Sequence, residues 1–385
     1  MMEPFRIAVP DAVLKDLRVR LARSRVPDGL EGVGWEQGTD PSYLRELLEI
    51  WRTDFDWRTQ ETRLNKFPQF KAGVGEGQDA IGLHFLHVQS PHKAARPLLL
   101  LHGWPGSVIE FTKIIPMLTR PEDYGGRPES AFHVVAPSLP GYGYSEAPRT
   151  RGADPRRIAG WMDNLMREVL GYESYFAQGG DWGSVIASWI AYDQPRAVRG
   201  LHLNMAGLRP TLGAQSPPLS EAEKAFLAEA RRKRSEDFAY QAIQGTRPQT
   251  LGVALNDSPA GLAAWLVEKF RAWSDCRGNL ENSFSSEDLL TNLTWYWITG
   301  SITSSIRLYY EFRQGDAGPP EGTRVETPTA FADFPKEILR PPREWVERAY
   351  NVVRWSEMPR GGHFAAWEQP RLLAEDLRAA CDEID

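Results

Sequence analysis

The segment Gly179-Gly180-Asp181-Trp182-Gly183 stands between a run typical of a strand, 174–178, and a run typical of a helix, 184–192. A strand, a tight turn with glycine on both sides of a reactive residue, and a helix form the frame that presents a nucleophile at the edge of a parallel sheet. Glycine suits such a turn because the turn is strained and other backbone passes close to it. The alternative interpretation of these five residues is an Asp that only caps the following helix.

Segments typical of strands and helices alternate on both sides of this turn. The other predicted strands are 81–88, 97–101, 132–136, 198–203, 328–334 and 351–357. The other predicted helices are 108–118, 154–170 and 369–384. Such alternation is typical of a mostly parallel sheet flanked by helices and joined by right-handed crossovers. The sequence therefore predicts an α/β fold.

Two regions lack the alternation. Residues 1–75 show the pattern of helices and turns, and they resemble an arm that packs on the rest. Residues 207–315 look mainly helical, and Ser220 with Glu223 has the spacing of a capping box at a helix start. We therefore predict four parts: the arm 1–75, a first core part 76–206, an inserted helical cap 207–315 and a second core part 316–385.

The composition excludes several classes of protein. Hydrophobic residues make up 42% and charged residues 25% of 385, which is the balance of a globular protein and not of a disordered one. The net charge of −6 argues against a nucleic-acid partner, and no apolar run is long enough for a membrane span. The N-terminus lacks the order of a signal peptide. Cys276 and Cys381 alone form neither a disulfide framework nor a zinc site, so we expect a cytoplasmic protein without a metal.

Two further glycine-rich turns carry the chemistry. His102-Gly103-Trp104-Pro105-Gly106 ends an early strand, where a backbone N–H can face a developing oxyanion together with one just after Asp181. We assign that oxyanion hole to Trp104 and Trp182; an ordinary turn built from Gly and Pro is the alternative. Gly361-Gly362-His363-Phe364 follows the last strand, and His363 stands where chain order places a general base.

The base needs an acid to orient it, and three residues are candidates. Glu337 lies just past the strand 328–334, Asp333 lies within or at the end of that strand, and Glu357 directly precedes the histidine loop. We prefer Glu337, because it follows a strand separate from the one that precedes His363 and lies 26 residues before that histidine.

With these residues the chain resembles the epoxide hydrolases of the α/β-hydrolase fold, in the microsomal and juvenile-hormone branch. The resemblance rests on segments spread over nearly the whole chain: 55–58 (FDWR), 102–106 (HGWPG), 140–145 (PGYGYS), 179–184 (GGDWGS), 254–259 (ALNDSP) and 361–366 (GGHFAA).

The resemblance implies roles for particular residues. Asp181 is then the nucleophile, His363 the base and Glu337 the acid that orients it. Two cap tyrosines hold the epoxide oxygen in that family, and they match Tyr240 and Tyr309. Tyr310 follows directly, so the second assignment is open by one residue. Membrane-bound members carry an N-terminal anchor helix, and we expect none here.

The chemistry explains why the turn carries Asp where ester hydrolases carry Ser. A carboxylate opens an epoxide to give an ester that water can cleave, whereas a serine would give a stable ether. No cofactor is required. The expected partners are water and a small hydrophobic epoxide, with an aryl group as one option suggested by the aromatic cap, and a homodimer stays open. The arginine-rich composition suits a GC-rich bacterium, with a role in detoxification or secondary metabolism.

Two alternatives to this function remain at this point. A haloalkane dehalogenase shares the Asp nucleophile, and Trp104 with Trp182 resembles its halide-binding pair. A non-catalytic binding protein of the same fold is the other alternative, although such proteins usually lose part of the catalytic set.

Overall fold

A nine-stranded sheet forms the centre of the computed structural model, which describes residues 2–214, 216–315 and 318–385. The strands are β1 (Glu3–Phe5), β2 (Gln69–Val74), β3 (Ile81–Val88), β4 (Arg96–Leu101), β5 (Phe132–Pro137), β6 (Tyr175–Gly179), β7 (Val198–Leu203), β8 (Val325–Asp333) and β9 (Tyr350–Glu357). Their order across the sheet is β1-β2-β3-β5-β4-β6-β7-β8-β9. The ladder from β5 to β9 is parallel, and β1, β2 and β3 extend it in antiparallel pairs.

Helices cover the sheet and fill two longer stretches of the chain. They are α1 (Asp11–Ala22), α2 (Pro41–Thr53), α3 (Trp57–Leu64), α4 (Ile115–Thr119), α5 (Pro155–Asn164), α6 (Asp181–Asp193), α7 (Glu221–Glu236), α8 (Ala239–Gln244), α9 (Pro248–Asp257), α10 (Pro259–Trp273), α11 (Ser286–Thr299), α12 (Ile302–Gln314), α13 (Arg343–Glu347), α14 (Ala365–Glu368) and α15 (Pro370–Ile384). Among the described residues, no helix has the combined length and apolar character that a membrane span requires.

The predicted α/β architecture is confirmed, and the central strands explain it. Leu98, Leu99, Leu100 and Leu101 of β4 are fully buried, as expected of a strand that has helices on both faces. Helix α6 packs directly behind the turn after β6, and nearly all its residues are buried. The reactive turn therefore projects from the middle of the sheet, at the carboxyl ends of parallel strands, where open α/β sheets bind ligands.

The N-terminal stretch contributes three helices and also two strands, β1 and β2, that the sequence pattern did not indicate. From Lys71 to Val74 the residues of β2 alternate between exposed and buried, but Lys71 and Gly73 are poor strand formers and hide that period. The pairing with β3 supplies the missing stability, since Gln69 to Val74 match Leu86 to Ile81 in register.

Two predicted helices are interrupted. The span 108–118 contains a 3₁₀ helix, Val108–Thr112, followed by α4. Pro116 explains the break, because proline lacks the N–H that a continuous helix would bond to the carbonyl of Thr112. The span 154–170 is α5 followed by a π-helical turn, Leu165–Val169, in which the Leu170 N–H bonds to the Leu165 carbonyl at 3.1 Å.

Helices α7 to α12 lie in the chain between β7 and β8 and form the inserted layer above the sheet. The predicted capping box is present at the start of α7: Ser220 Oγ accepts from the Glu223 N–H, and Glu223 Oε2 accepts from the Ser220 N–H. The predicted boundary between cap and second core part lies between residues 315 and 316, and residues 316 and 317 lie outside the described residues.

The arm is tied to the inserted helices through buried contacts. The indole N–H of Trp51 on α2 donates to Thr294 Oγ1 on α11 at 2.9 Å, and both residues are buried. Asp288, also on α11, accepts from Lys113 of the core at 2.9 Å and lies 3.8 Å from Arg63 of the arm. Arm, core and inserted layer therefore meet at one helix.

We predict that Trp51→Ala lowers the free energy of unfolding by about 3–5 kcal/mol, because it leaves a cavity and an unpaired Thr294 hydroxyl. Urea unfolding followed by circular dichroism measures this. Val19→Ala is the matched control: Val19 is a solvent-exposed position of the arm, and its loss should change stability by no more than about 0.5 kcal/mol. Equal effects of the two substitutions would show that the arm does not stabilise the fold through this contact.

Candidate active site

Asp181 occupies a strained turn. Its φ is +48°, in the left-handed region that residues other than glycine rarely adopt. The glycines on either side permit close packing around it. A Cβ on Gly183 would lie 1.9 Å from the Leu101 carbonyl oxygen, and one on Gly179 would lie 2.3 Å from the carbonyl carbon of Gly183. Any larger residue at these two positions would push β4, β6 and α6 apart and displace Asp181.

The His102–Gly106 turn meets Asp181 from the end of β4. The Trp104 N–H donates to Asp181 Oδ1 at 2.7 Å. Gly103 permits this approach, because a Cβ there would lie 2.1 Å from the same oxygen. Trp182 is the second residue of α6, and the first four N–H groups of a helix lack partners within the helix. Of the two N–H groups assigned from the sequence, that of Trp104 contacts the Asp181 carboxylate, and that of Trp182 lies in the first turn of α6 directly after Asp181.

The inserted helix α11 holds this turn in place. Asn292 Nδ2 donates to the Pro105 carbonyl at 2.9 Å, and the Tyr296 hydroxyl donates to the Gly106 carbonyl at 2.8 Å. These contacts fix the backbone whose N–H faces Asp181. Sequence analysis missed both residues, since a polar group on a buried helix face carries no signal that names its partner.

His102 is a structural residue of the same turn. It is buried, and its Nε2 accepts from the Leu139 N–H at 3.1 Å, which joins the turn to the loop after β5. Burial lowers the pKa of His102 to about 4, so the ring is neutral at pH 7 and can accept that bond.

The structure brings His363 and Glu337 together beside Asp181. His363 Nδ1 lies 2.6 Å from Glu337 Oε1, and His363 Nε2 lies 3.3 Å from Asp181 Oδ2. His363 and Glu337 are both buried. Their loops are paired, since the Lys336 N–H donates to the Gly361 carbonyl at 3.1 Å. The ring is thus oriented by one carboxylate and directed at the other.

Burial and charge act in opposite directions on His363. Burial disfavours the imidazolium, but the charges and hydrogen bonds of Glu337 and Asp181 outweigh it and raise the pKa of His363 well above its usual range. A proton on this ring is therefore held between two carboxylates. Loss of the charge on either one would lower the pKa of His363.

The other two candidates for the orienting acid have different partners. Asp333 forms a two-point ion pair with Arg340, with distances of 2.8 and 2.6 Å. Glu357 is the exposed last residue of β9 and pairs in register with Asp333. Of the three, Glu337 alone contacts His363.

Tyr240 and Tyr309 come from α8 and α12 and meet at the cavity that Asp181 also lines. Their ring centroids are 5.9 Å apart, and both rings are buried. Trp104 stacks on Tyr240 at 5.6 Å, and Trp182 packs edge-on against Tyr309 at 4.8 Å. Burial first, and the charge of Asp181 in addition, raise the pKa of both phenols, so both stay protonated. The two tryptophans support these tyrosines from below.

Two cavities open onto Asp181. One of about 340 Å³ is lined mainly by apolar and aromatic side chains, among them Phe238 and Phe312, and includes Tyr240 and Tyr309. The other, of about 20 Å³, has room for roughly one water and is lined by Asp181, His363 and Glu110. Organic substrate and water can therefore reach the same carboxylate from separate spaces.

Glu110 is a buried acid of the small cavity that sequence analysis missed. Burial raises the pKa of Glu110 to about 8; the charge of His363 opposes this shift and that of Asp181 adds to it. The side chain is therefore largely protonated at pH 7 and adds little negative charge beside Asp181. Gly106 makes room for it, because a Cβ there would lie 1.5 Å from Glu110 Oε1.

No group of three or more His, Cys, Asp or Glu in the described parts of the chain is arranged to hold a metal ion. The reactive groups that do converge are a carboxylate, an imidazole with its own carboxylate, backbone N–H donors and two phenols. This set can form and cleave an ester and can protonate an oxygen.

Comparison with known proteins agrees with this arrangement. Residues 2–111 match the family model "Epoxide hydrolase N terminus", and residues 96–370 match the model "alpha/beta hydrolase fold". Epoxide hydrolase 1 of Sus scrofa is 41% identical over 403 residues, which cover 98% of this chain and 88% of that protein.

Two solved structures have the same fold over the full length. The epoxide hydrolase of Aspergillus niger superposes with a TM-score of 0.85 at 33% identity, covering 100% of this chain and 97% of that one. The juvenile hormone epoxide hydrolase of Bombyx mori gives 0.84 at 34% identity, covering 100% and 94%. Sequence and fold together establish that the chain belongs to the epoxide hydrolase family of the α/β-hydrolase fold.

Proposed function

We propose that this epoxide hydrolase converts a small hydrophobic epoxide to a vicinal diol through an ester on Asp181. The observation that best supports this is that the two oxygens of Asp181 have different contacts. Oδ1 accepts from the Trp104 N–H at 2.7 Å, whereas Oδ2 lies 3.3 Å from His363 Nε2. One oxygen is thus held as the future carbonyl, and the other is the attacking atom.

In the first step Asp181 Oδ2 attacks an epoxide carbon and the carbon–oxygen bond of the ring breaks. Negative charge then develops on the departing oxygen, which lies under the inserted helices. Tyr240 and Tyr309 hydrogen-bond that oxygen and deliver a proton to it. Their donors stabilise the alkoxide more than the neutral epoxide, which is the condition for accelerating this step.

In the second step water attacks the Asp181 carbonyl carbon, and His363 Nε2 accepts the proton. The Trp104 and Trp182 N–H groups stabilise the charge on Oδ1. The bond between the Asp181 carboxyl carbon and Oδ2 then breaks, and the departing diol oxygen takes the proton from His363. The remaining water proton passes from the new carboxylic acid to His363, which restores the carboxylate and the protonated ring. Glu337 holds the ring through Nδ1 and stabilises the imidazolium.

Formation of the ester on Asp181 converts His363 to the neutral form that acts as the base. Before reaction, burial opposes a proton on His363 and both carboxylates favour it, with a raised pKa as the net result. Alkylation removes the charge of Asp181, so the pKa of His363 falls and the ring gives up its proton. The proton released balances the one that the alkoxide gains through the tyrosines. Each turnover thereby produces the neutral base that the second step needs.

The finer assignments are also proposals. The aromatic lining of the 340 Å³ cavity supports a hydrophobic substrate and admits an aryl group. We propose a cytoplasmic bacterial enzyme of detoxification or secondary metabolism, and sizing by light scattering would decide between a monomer and a homodimer.

We predict that His363→Gln stops turnover after the first step, because alkylation needs no base and hydrolysis does. Incubation with styrene oxide should give a protein heavier by one substrate mass, and peptide mapping should locate the addition at Asp181. His92→Gln is the control; His92 is a loop histidine 2.8 Å from Glu122, and its replacement should turn over without an accumulating ester. Full turnover by His363→Gln would refute the role of this residue.

We predict that Tyr240→Phe and Tyr309→Phe each slow ester formation by about 10²–10³-fold, by analogy with removal of an oxyanion-hole donor. Hydrolysis of the preformed ester should change little. Stopped-flow fluorescence separates the two steps. Tyr310→Phe is the control that decides the register. Damage by Tyr310→Phe, together with an unaffected Tyr309→Phe, would move the second donor by one residue.

A further inference from the structure

The basic run 231–234 at the end of α7, which the sequence suggests is a solvated helix end, divides into two pairs in the structure. Arg232 bonds to Glu229 and Glu236, and Lys233 Nζ donates to the Ile338 carbonyl at 2.7 Å. Arg231 and Arg234 instead line the 340 Å³ cavity that leads to Asp181. Arg231 and Arg234 are solvent-exposed as well, so the solvated-end interpretation holds for them, and they stand in addition at the part of the cavity that reaches solvent.

The geometry of α7 explains why these two arginines face the cavity. Leu227, Arg231 and Arg234 recur three or four residues apart, and Ala230 lies three residues after Leu227 and four before Arg234. The four therefore share one side of the helix, and all four line the cavity. Arg209, a few residues after the carboxyl end of β7, lines it as well. The space thus combines an aromatic interior with three guanidinium groups.

Among the residues that the structure describes, this space has almost no acidic side chains. Among the described residues that line the cavity, the one acid is Asp181 itself. Within the described parts of the chain, none of Arg209, Arg231 and Arg234 takes part in an ion pair. The whole chain, by contrast, has more acidic residues than basic ones, 51 against 45. The excess positive charge is therefore local to this cavity.

The pKa of Arg209 reflects the closeness of these cations to one another and to the protein. The side chain is solvent-exposed, and partial desolvation by neighbouring protein atoms nevertheless lowers the pKa of the guanidinium, with a further contribution from the nearby charge of Arg234. Two cations that act on each other without a shared acid are stabilised by an anion, and the guanidinium fork suits a carboxylate or a phosphate.

We infer that the cavity binds an amphipathic epoxide whose far end carries an anionic group, held by Arg209 and Arg234 with Arg231 nearby. The aromatic lining holds the hydrocarbon part and places the ring at Asp181. This inference rests on the proposed function and specifies its substrate class. The anion is a carboxylate or a phosphate monoester, and the guanidinium groups recognise the chemistry that the two share.

The test compares terminal epoxides that differ only in the charge of the far end. A series of ω-epoxy carboxylates from hexanoate to dodecanoate is assayed against the matching methyl esters and the matching phosphate monoesters. The wild type should show a kcat/KM about tenfold higher for the anionic member of at least one pair, because a charge-assisted hydrogen bond is lost in the ester. Arg209→Gln and Arg234→Gln should raise KM for the anionic substrate far more than for the ester.

Arg232→Gln is the matched control, since it removes the same charge from the same helix at a position outside the cavity. It should leave the preference for the anion intact. An equal kcat/KM for charged and neutral substrates in the wild type, or an equal effect of all three arginine substitutions, would overturn the inference. A preference for the phosphate over the carboxylate would support it and identify the anion.

A binding measurement separates this inference from the proposed function. Unreactive alkanoates and their methyl esters are titrated calorimetrically into the wild type and into Arg209→Gln. Tighter binding of the carboxylate that is lost in the variant supports the anion site even if no epoxide is turned over. Equal binding of acid and ester contradicts the anion site even if the neutral epoxides are hydrolysed rapidly.

Discussion

The close packing around Asp181 is the constraint on which the rest of the site depends. A non-glycine residue at positive φ costs about 1–3 kcal/mol and persists only where its surroundings determine it. Here the surroundings are the backbone of β4, which Gly183 touches, and the turn at Gly103, which lies against the carboxylate itself. A shift of either glycine would move Asp181 relative to both Trp104 and His363. The packing therefore fixes Asp181, Trp104 and His363 relative to one another.

The inserted helices act on the same site from above. Helix α11 bonds to the carbonyls of Pro105 and Gly106, while α8 and α12 contribute the two tyrosines. The arm in turn bonds to α11 through Trp51. The arm is thus connected to the His102–Gly106 turn through α11.

Much of this arrangement could be predicted from the sequence. The strands from β3 onwards have apolar runs bounded by glycine-rich turns, and the three turns that carry Asp181, Trp104 and His363 are local motifs. The strand β2 could not be found, because Lys71 and Gly73 hide its period and its stability comes from β3. Glu110, Asn292 and Tyr296 were missed for a similar reason: what they contact depends on packing between distant segments. The break at Pro116 was visible in the sequence, but the apolar spacing around it favoured a continuous helix.

The central claim is that Asp181 becomes covalently attached to substrate, and isotope transfer tests it most directly. The enzyme in excess is allowed one turnover of an epoxide in water enriched in oxygen-18, and both products are analysed by mass spectrometry. The account predicts that the heavy oxygen enters the Asp181 carboxylate and that the diol is unlabelled, because the diol takes its new oxygen from Asp181. Label in the diol and none in the peptide that contains Asp181 would mean that water attacks the epoxide directly, and it would contradict the account.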